Sequence, residues 1–445
     1  MRRWLPWLLL AALAPTGQIA RADKALNGPG PPVPAPVGRS DAELVEKARR
    51  LQGRMRAHLS PEGLLAYVHR VGATPEELSH DVLQLSDVAI WSGCYAASQA
   101  CRWHVTRDPA ALDELRVLAD GLALLARASG REGGLVRNVG RPLPGRPPAE
   151  KSEPSPLGEG FWCRADPSRD QLAGLTLGWA AIGRYVEDPG LREQARAHLV
   201  ALARRLRADK MWLRDPRGKR TEYGELREDV EGLPWVKNGR LAAIGLAPFV
   251  AAAALDPAPD VHDALRRLLD DGWGRALPEQ QTWLPPLQAP SGVNMTCLAL
   301  LTCRLMDRGV VASRALEGLG RLRAATRGWW NGGFLACALL GGLEHRRGEA
   351  VDELRAVLHL MSEDEVPYAN VPHRRLRAIP SIVERGNADW AWKDELGLFR
   401  DAPPGVPRRE SFTYTRADWL FAYWLARAAG ELDPAPTRAP VAAPR

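Results

Sequence analysis

Residues Gly160–Tyr185, GFWCRADPSRDQLAGLTLGWAAIGRY, run from a glycine-flanked loop holding Trp162, Arg164 and Asp166 through Pro167-Ser168 into an apolar helix. Ser168 is an N-cap residue by type, and Gln171 three positions on completes the capping-box pattern. The helix is apolar and small on most sides, which marks a buried helix rather than one facing water. Yet Arg169 and Asp170 stand in its first turn. An acid there complements the positive helix end. Beside an aromatic loop, the same polar turn also marks the lip of a ligand cleft.

The pattern recurs in both directions along the chain. Helices of this apolar kind are expected near Asp87–Val105, Arg169–Val186, Gly239–Leu255, Gly292–Met306, Gly332–His345 and Thr415–Gly430. Each has a partner helix charged on one face: Asp41–His58, Pro109–Ala128, Pro189–Ala208, Asp260–Arg275, Ala312–Thr326 and Glu349–Met361. An all-round apolar helix is buried and a striped one faces water, so the chain reads as six inner and six outer helices. Ser60–Leu85 reads as a loop-like segment between the first outer and first inner helix.

The connections separate into two kinds. Inner-to-outer turns are short, as in Arg107-Asp108-Pro109, Glu187-Asp188-Pro189 and Asp256-Pro257, where Asp-Pro suits both a turn and the first helical position. Outer-to-inner connections are mostly long: Ser129–Ser168, Asp209–Asn238, Ala276–Ser291 and Ser362–Tyr414. Loops beyond about 12–15 residues are uncommon in compact domains and often functional. In a ring of antiparallel hairpins they crowd one rim, together with the N-termini of the inner helices. The last of them reads as a packed Ω-like lid.

This organisation, with Trp91-Ser92-Gly93 and Tyr95, Ser168-Arg169-Asp170-Gln171, Arg385 with Asp389-Trp390, and Asp418-Trp419 with Tyr423-Trp424, resembles the six-hairpin glycosidase-like (α/α)6-toroid superfamily, including secreted bacterial members. The resemblance covers most of Asp41–Gly430. It implies an all-α (α/α)6 toroid with its long loops on one rim. It also implies a glycoside hydrolase, an unsaturated uronyl hydrolase or, in related toroids, a polysaccharide lyase. In the uronyl hydrolases, Asp residues at such positions protonate a vinyl ether and activate water; Asp87 and Asp170 occupy comparable entrances here.

Facing carboxylates serve as acid and base in glycoside cleavage, about 5–5.5 Å apart for retention and about 6.5–9.5 Å apart for inversion. The expected catalytic residues are therefore Asp87, Asp170 and Asp166. The expected substrate-binding set is Trp91, Tyr95, Trp162, Arg164, Arg169, Gln171, Trp235, Asn294, Trp330, Trp392 and Asp418. Eight of the 16 tryptophans fall in loops or at their junctions with inner helices. Indoles prefer burial, so such a rim needs a packed loop layer or a ligand to cover it, and pyranose faces stack on them. Trp91 and Trp162 are the preferred platforms because each lies near a carboxylate. A lyase would instead draw on Arg or Asn to neutralise a uronate and on Tyr or His to move the proton; Arg137, Arg164, Arg169, Asn294, Tyr95, Tyr223, Tyr368 and His373 supply those types. A glycan-binding scaffold without catalysis would keep the Trp rim alone.

Other classes lack their motifs. No G-x-G-x-x-G follows a strand, and there is no P-loop, G-x-S-x-G or H-E-x-x-H, so no cofactor is expected. The six cysteines form no paired CxxC, and Cys94, Cys101 and His104 are poorly spaced for a metal. Cys94 and Cys101 share a helix roughly 10 Å apart along its axis, too far to bond each other. Arg2 and Arg3 before the apolar run Leu5–Leu13, with Ala20-Arg21-Ala22 after it, read as a secretory leader over residues 1–22. The run is too short for a membrane anchor, and a periplasmic or extracellular protein is expected. A Pro-rich linker follows over residues 23–39, then the toroid over 40–430 and a Pro/Ala-rich tail over 431–445. Three of the +7 charges belong to the leader, so the remainder is only mildly basic. That charge gives no reason to expect nucleic acid as a partner and suits an oligo- or polysaccharide, weakly favouring an anionic one.

Overall fold

The computed structural model describes residues 40–227, 229–230, 233–278, 290–326, 331–361, 363, 366–369 and 408–433. The expected leader, linker, nearly all of the tail, Trp330, Trp392, His373 and most of the lid connection lie outside the described residues, as does the side chain of Trp235.

The described chain is mostly helical. Its elements are α1 (Asp41–Met55), β1 (Val68–Arg70), α2 (Pro75–Gln84), α3 (Val88–Thr106), α4 (Pro109–Arg127), β2 (Asn138–Gly140), β3 (Glu153–Pro154), β4 (Trp162–Arg164), α5 (Arg169–Tyr185) and α6 (Pro189–Ala208). Then come β5 (Trp212–Arg214), β6 (Arg220–Glu225), β7 (Asp229–Val230), β8 (Leu233–Lys237), α7 (Gly239–Leu255), α8 (Pro259–Asp270) and the single turn α9 (Trp273–Ala276). The last are α10 (Pro290–Met306), α11 (Val310–Ala325), α12 (Gly332–Leu340), α13 (Arg347–Leu360), β9 (Val366–Ala369), β10 (Arg408–Tyr414) and α14 (Ala417–Ala428).

The apolar helices touch in a cycle, α3 to α5 to α7 to α10 to α12 to α14 and back to α3. Each striped helix packs on one of them: α4 on α3, α6 on α5, α8 on α7, α11 on α10, α13 on α12 and α1 on α14. Burial follows composition. In α7, every residue from Leu241 to Ala252 is buried, whereas α8 buries only Val261 and Ala264. The cycle is not round, because α10 also packs against α5, across α7. Glycine makes the tightest joint. A Cβ at Gly93 would lie 2.2 Å from Gly174 O, and one at Gly174 would lie 2.4 Å from Ile90 O, so α3 and α5 meet backbone to backbone. The first and last hairpins are tied together by Arg355 with Asp41 at 2.8 Å. Lys47 Nζ and Trp419 Nε1 each donate to Leu358 O at 2.8 Å.

The two kinds of connection part company in space. Short turns bond to one another or to the neighbouring outer helix: the turn residues Arg107 and Glu187 pair, while Arg116 of α4 reaches Asp188 at 3.0 Å and Arg196 of α6 reaches Asp256. Long connections instead sit on the N-termini of inner helices. Ala89 N donates to Arg137 O at 2.9 Å and Thr415 N to Tyr67 O at 3.1 Å. They also carry short antiparallel strands that the sequence reading did not foresee: β2–β4–β3, β5–β6, β7–β8, and β1–β10–β9, the last with Val68 opposite Tyr414. The Ser60–Leu85 stretch holds α2, whose Thr74 and Glu77 form a capping box. The fourth outer helix stops at Asp270 because Gly272 takes a left-handed φ of 92° before α9 begins.

Candidate functional site

The entrances of α3 and α5 are joined by one side chain. Gln171 donates from Nε2 to Asp87 Oδ1 at 3.1 Å and to Ser86 O at 3.4 Å. Its Oε1 accepts the Ser168 N–H at 2.9 Å, the capping-box contact expected from sequence. The Ser168 hydroxyl donates to Asp170 Oδ1. Asp87 and Asp170 are therefore two side chains apart along a hydrogen-bonded path. Asp87 is buried, whereas Asp170 is half-buried.

Arg137, on the connection between α4 and α5, approaches the same carboxylate. Its Nη1 lies 3.8 Å from Asp87 Oδ1, and its Nε donates to Asp166 O at 2.6 Å. Arg164 Nε donates to Asp166 Oδ1 at 3.0 Å, with Arg137 Nε 3.2 Å from the same oxygen. With two guanidiniums on Oδ1, Asp166 is a tie between β2 and β4, not a free acid or base. Asn138, which the sequence reading passed over, locks this corner: its Oδ1 accepts from Arg164 N at 2.9 Å and its Nδ2 donates to Leu83 O at 3.3 Å.

Three expected binding residues are corrected. Trp91 is fully buried and meets Tyr67 edge-on, with ring centroids 6.3 Å apart, so neither face is open for a sugar. Tyr95 is also fully buried and points outward from the inner ring. Its hydroxyl donates to Glu114 Oε1 at 2.6 Å and accepts from Gln52 Nε2 at 2.8 Å. Burial beside Glu114 pushes the Tyr95 hydroxyl well above its ordinary pKa. The i+4 and i+8 spacing from Asp87 was right as periodicity, but a buried helix offers its polar side chains to whatever packs there. Gln171 is corrected likewise, from a substrate contact to a bridge that spends its polar atoms on the protein. Trp162 stays at the rim, half-buried in β4 opposite Gly140 and Pro154.

The remaining entrances hold polar groups with less to bond. Among the described residues, Arg169 Nε, Asn331 Nδ2, Thr415 Oγ1 and both carboxylate oxygens of Asp418 are buried without a hydrogen-bond partner. Asp418 is 0 % exposed. Asn331 does cap α12, its Oδ1 accepting Phe334 N at 3.0 Å, so only its amide is left over. Asn294 is buried at the fifth residue of α10. Arg240 was missed, although a signal existed: it is the single charged residue in the 17 residues of α7. Burial pushes the Arg240 guanidinium below its ordinary pKa, and the Arg169 charge adds to that; burial lowers Arg169 as well. Among the described residues, no helix is long and apolar enough to cross a membrane, and no group of three or more His, Cys, Asp or Glu is placed to hold a metal.

No protein-family model and no curated protein matches the sequence. Among solved structures, the chain is similar to a metagenome-derived glycoside hydrolase family 9 endoglucanase, at 16% identity and a TM-score of 0.40, over 76% of this chain and 68% of that one. A likeness this remote identifies neither a family nor a substrate.

Proposed function

We propose that the chain is an exported, carbohydrate-active protein that hydrolyses a glycosidic bond at the entrances of its inner helices. In this reading the contact cycle is an (α/α)6 toroid over residues 40–430, behind a leader removed after Ala22. One observation carries it: the unpartnered buried groups of Arg169, Asn331, Thr415 and Asp418 lie at the entrances of three inner helices. Each such group costs about 1–3 kcal/mol when left unsatisfied, a cost that a bound ligand would return. A sugar, with a hydroxyl on nearly every carbon, supplies donors and acceptors at that density.

The roles follow from what each group already touches. Asp87 receives the Gln171 amide and faces the Arg137 guanidinium, an arrangement that complements a charged carboxylate and suits a base or nucleophile. Asp170, half-buried and held among the described residues by Ser168, is the carboxyl placed to meet a glycosidic oxygen. Asp418 has no donor among the described residues and takes substrate hydroxyls. Elimination is the second reading, with Tyr223, which is 51% exposed, as the group that returns the proton; its hydrogen bond with Glu222 raises the hydroxyl's pKa, which suits an acid more than a base.

The test is a panel of neutral and acidic oligosaccharides given to the full-length protein. New reducing ends without unsaturated-uronate absorbance are expected, and Asp170→Asn should cut turnover by roughly 100- to 10,000-fold. Unchanged turnover in that variant removes Asp170 from the mechanism. New ends accompanied by the absorbance move the reaction to elimination. Binding without new ends leaves a glycan-binding module.

A further inference from the structure

Most buried or half-buried arginines of this chain have a carboxylate at hand: Arg131 with Asp209 at 3.1 Å, Arg70 with Asp81 at 2.9 Å, Arg323 with Glu353 at 2.5 Å. Arg169 and Arg240 do not. Neither has a carboxylate within ion-pair distance among the described residues, and the Arg169 Nε is buried with no hydrogen-bond partner. The two residues open neighbouring inner helices, Arg169 as the first residue of α5 and Arg240 as the second of α7. The Arg240 guanidinium reaches on to a third, α10, where it lies against the backbone of Gly292. A Cβ on Gly292 would fall 2.4 Å from Arg240 Nη1, so any larger residue there would displace the guanidinium from its present place.

The charges around the pair are unequal. Asp170 and Glu225 partly offset Arg169 from a distance, whereas the charge acting on Arg240 is another cation, Arg169 itself. Two guanidiniums on adjoining helix entrances, near enough to feel each other's charge and partly out of water, repel each other and lose hydration. The usual solution in proteins is an anion between them, since the planar fork of arginine matches carboxylate and sulfate oxygens.

We propose that Arg169 and Arg240 form an anion subsite, and that the saccharide bound at this rim carries an acidic substituent, a uronate carboxylate or a sulfate ester, which the two guanidiniums clasp. The proposal rests on the carbohydrate reading of the same rim and deepens it by naming the substrate class. Gly292 is the positioning element: it sets the depth of the Arg240 side chain without touching the ligand.

The experiment is equilibrium binding of three oligosaccharides of matched length to the full-length protein: a hexuronate oligomer, a sulfated oligomer and a neutral one. One acidic ligand is expected to bind best, which assigns the anion. Arg240→Gln should weaken that ligand about 10- to 100-fold, the loss expected for a charge-assisted contact, and leave neutral-ligand affinity unchanged. Arg240→Lys should recover part of the loss, and Arg240→Met, which keeps an unbranched side chain of similar shape, serves as a second variant if Arg240→Gln is poorly folded. Equal affinity for neutral and acidic ligands, or acidic affinity untouched in the folded variants, overturns the subsite and leaves the carbohydrate reading standing. No binding by any of the three overturns both.

Discussion

Two sets of buried polar side chains, one between α3 and the outer helices and one at the entrances of α5, α12 and α14, are built on opposite principles. Toward the outer ring, Tyr95, Glu114, Gln52, Gln99 and Arg102 close on one another. Tyr95 and Gln52 both donate to Glu114, Gln99 donates to Gln52 Oε1 at 3.1 Å, and Arg102 donates to Gln99 Oε1 at 3.1 Å and pairs with Asp108. Toward the inner-helix entrances, Arg169, Asn331, Thr415 and Asp418 keep buried atoms that bond to nothing among the described residues. A closed network rigidifies a fold; a set of unmet donors and acceptors costs the fold free energy that a ligand can return. Unmet groups also occur away from the entrances, at Ser98 and Trp424; what sets the entrance set apart is that it includes both oxygens of a fully buried carboxylate, Asp418.

The comparison breaks most visibly at Glu114. Burial raises its pKa despite the Tyr95, Arg102 and Gln52 contacts that favour its charge. Glu114→Ala leaves the Tyr95 hydroxyl without its acceptor and takes one partner each from the Gln52 amide and the Arg102 guanidinium, and should cost about 3–5 kcal/mol in urea unfolding, as for other broken buried charge networks. A cost below about 1 kcal/mol would show that this network is ornamental to stability.

Next in size is the pair His58 and His69, also closed. His69 Nδ1 lies 2.7 Å from Arg70 O and must donate to it, which leaves Nε2 to accept the His58 Nδ1–H at 2.7 Å. Burial, and after it the neighbouring His69 and Arg54, lower the His58 pKa to about 4 from 6.5. The unfolded chain binds this proton between those values while the folded chain does not. The stabilisation is therefore complete above about pH 6.5 and is lost as pH falls toward 4, roughly 3 kcal/mol in all. His58→Gln should flatten the slope of unfolding free energy against pH in that window; equal slopes would clear His58 of the effect.

On the open side the sign reverses. Asp418→Leu removes a fully buried carboxyl with no donor and should stabilise the protein by about 1–3 kcal/mol. The same change should abolish saccharide binding. Stabilisation with binding intact would mean that Asp418 faces no ligand.

How much of this could be read from the chain itself depended on the range of the forces involved. The helix boundaries were legible because they are local: Asp108, Asp188, Asn238 and Asn331 each accept a hydrogen bond from the first turn they cap, and α6 and α7 fall where periodicity placed them. α2 was legible too, in Thr74-Pro75-Glu76-Glu77, but was passed over in a stretch read as loop. The strands were not legible, because a two- or three-residue strand is fixed by its partner, as Cys163 is by Val139 and Glu153. At the site, Asp87, Gln171 and Arg164 stand out in the sequence as polar residues at helix entrances and in their loops, but that the Gln171 amide is taken up by Asp87 and Ser86 follows from packing alone. Which way Tyr95 and Trp91 point was beyond periodicity, since both faces of α3 are buried and only the neighbours decide.

The smallest effect isolates a single atom pair. Asn331 does two jobs that can be separated chemically. Its Oδ1 caps α12 by accepting the Phe334 N–H, while its Nδ2 is buried and unbonded. Serine caps helices about as well as asparagine but carries no amide, so Asn331→Ser should change stability by less than about 0.5 kcal/mol. If a ligand group meets the amide at the rim, affinity should fall by about 3- to 10-fold, the value of one neutral hydrogen bond. Alanine is the control: it loses the cap as well, at about 1 kcal/mol. A serine variant that binds as tightly as the parent would withdraw Asn331 from the site, and with it the claim that unmet polarity at α12 is held in reserve for a substrate.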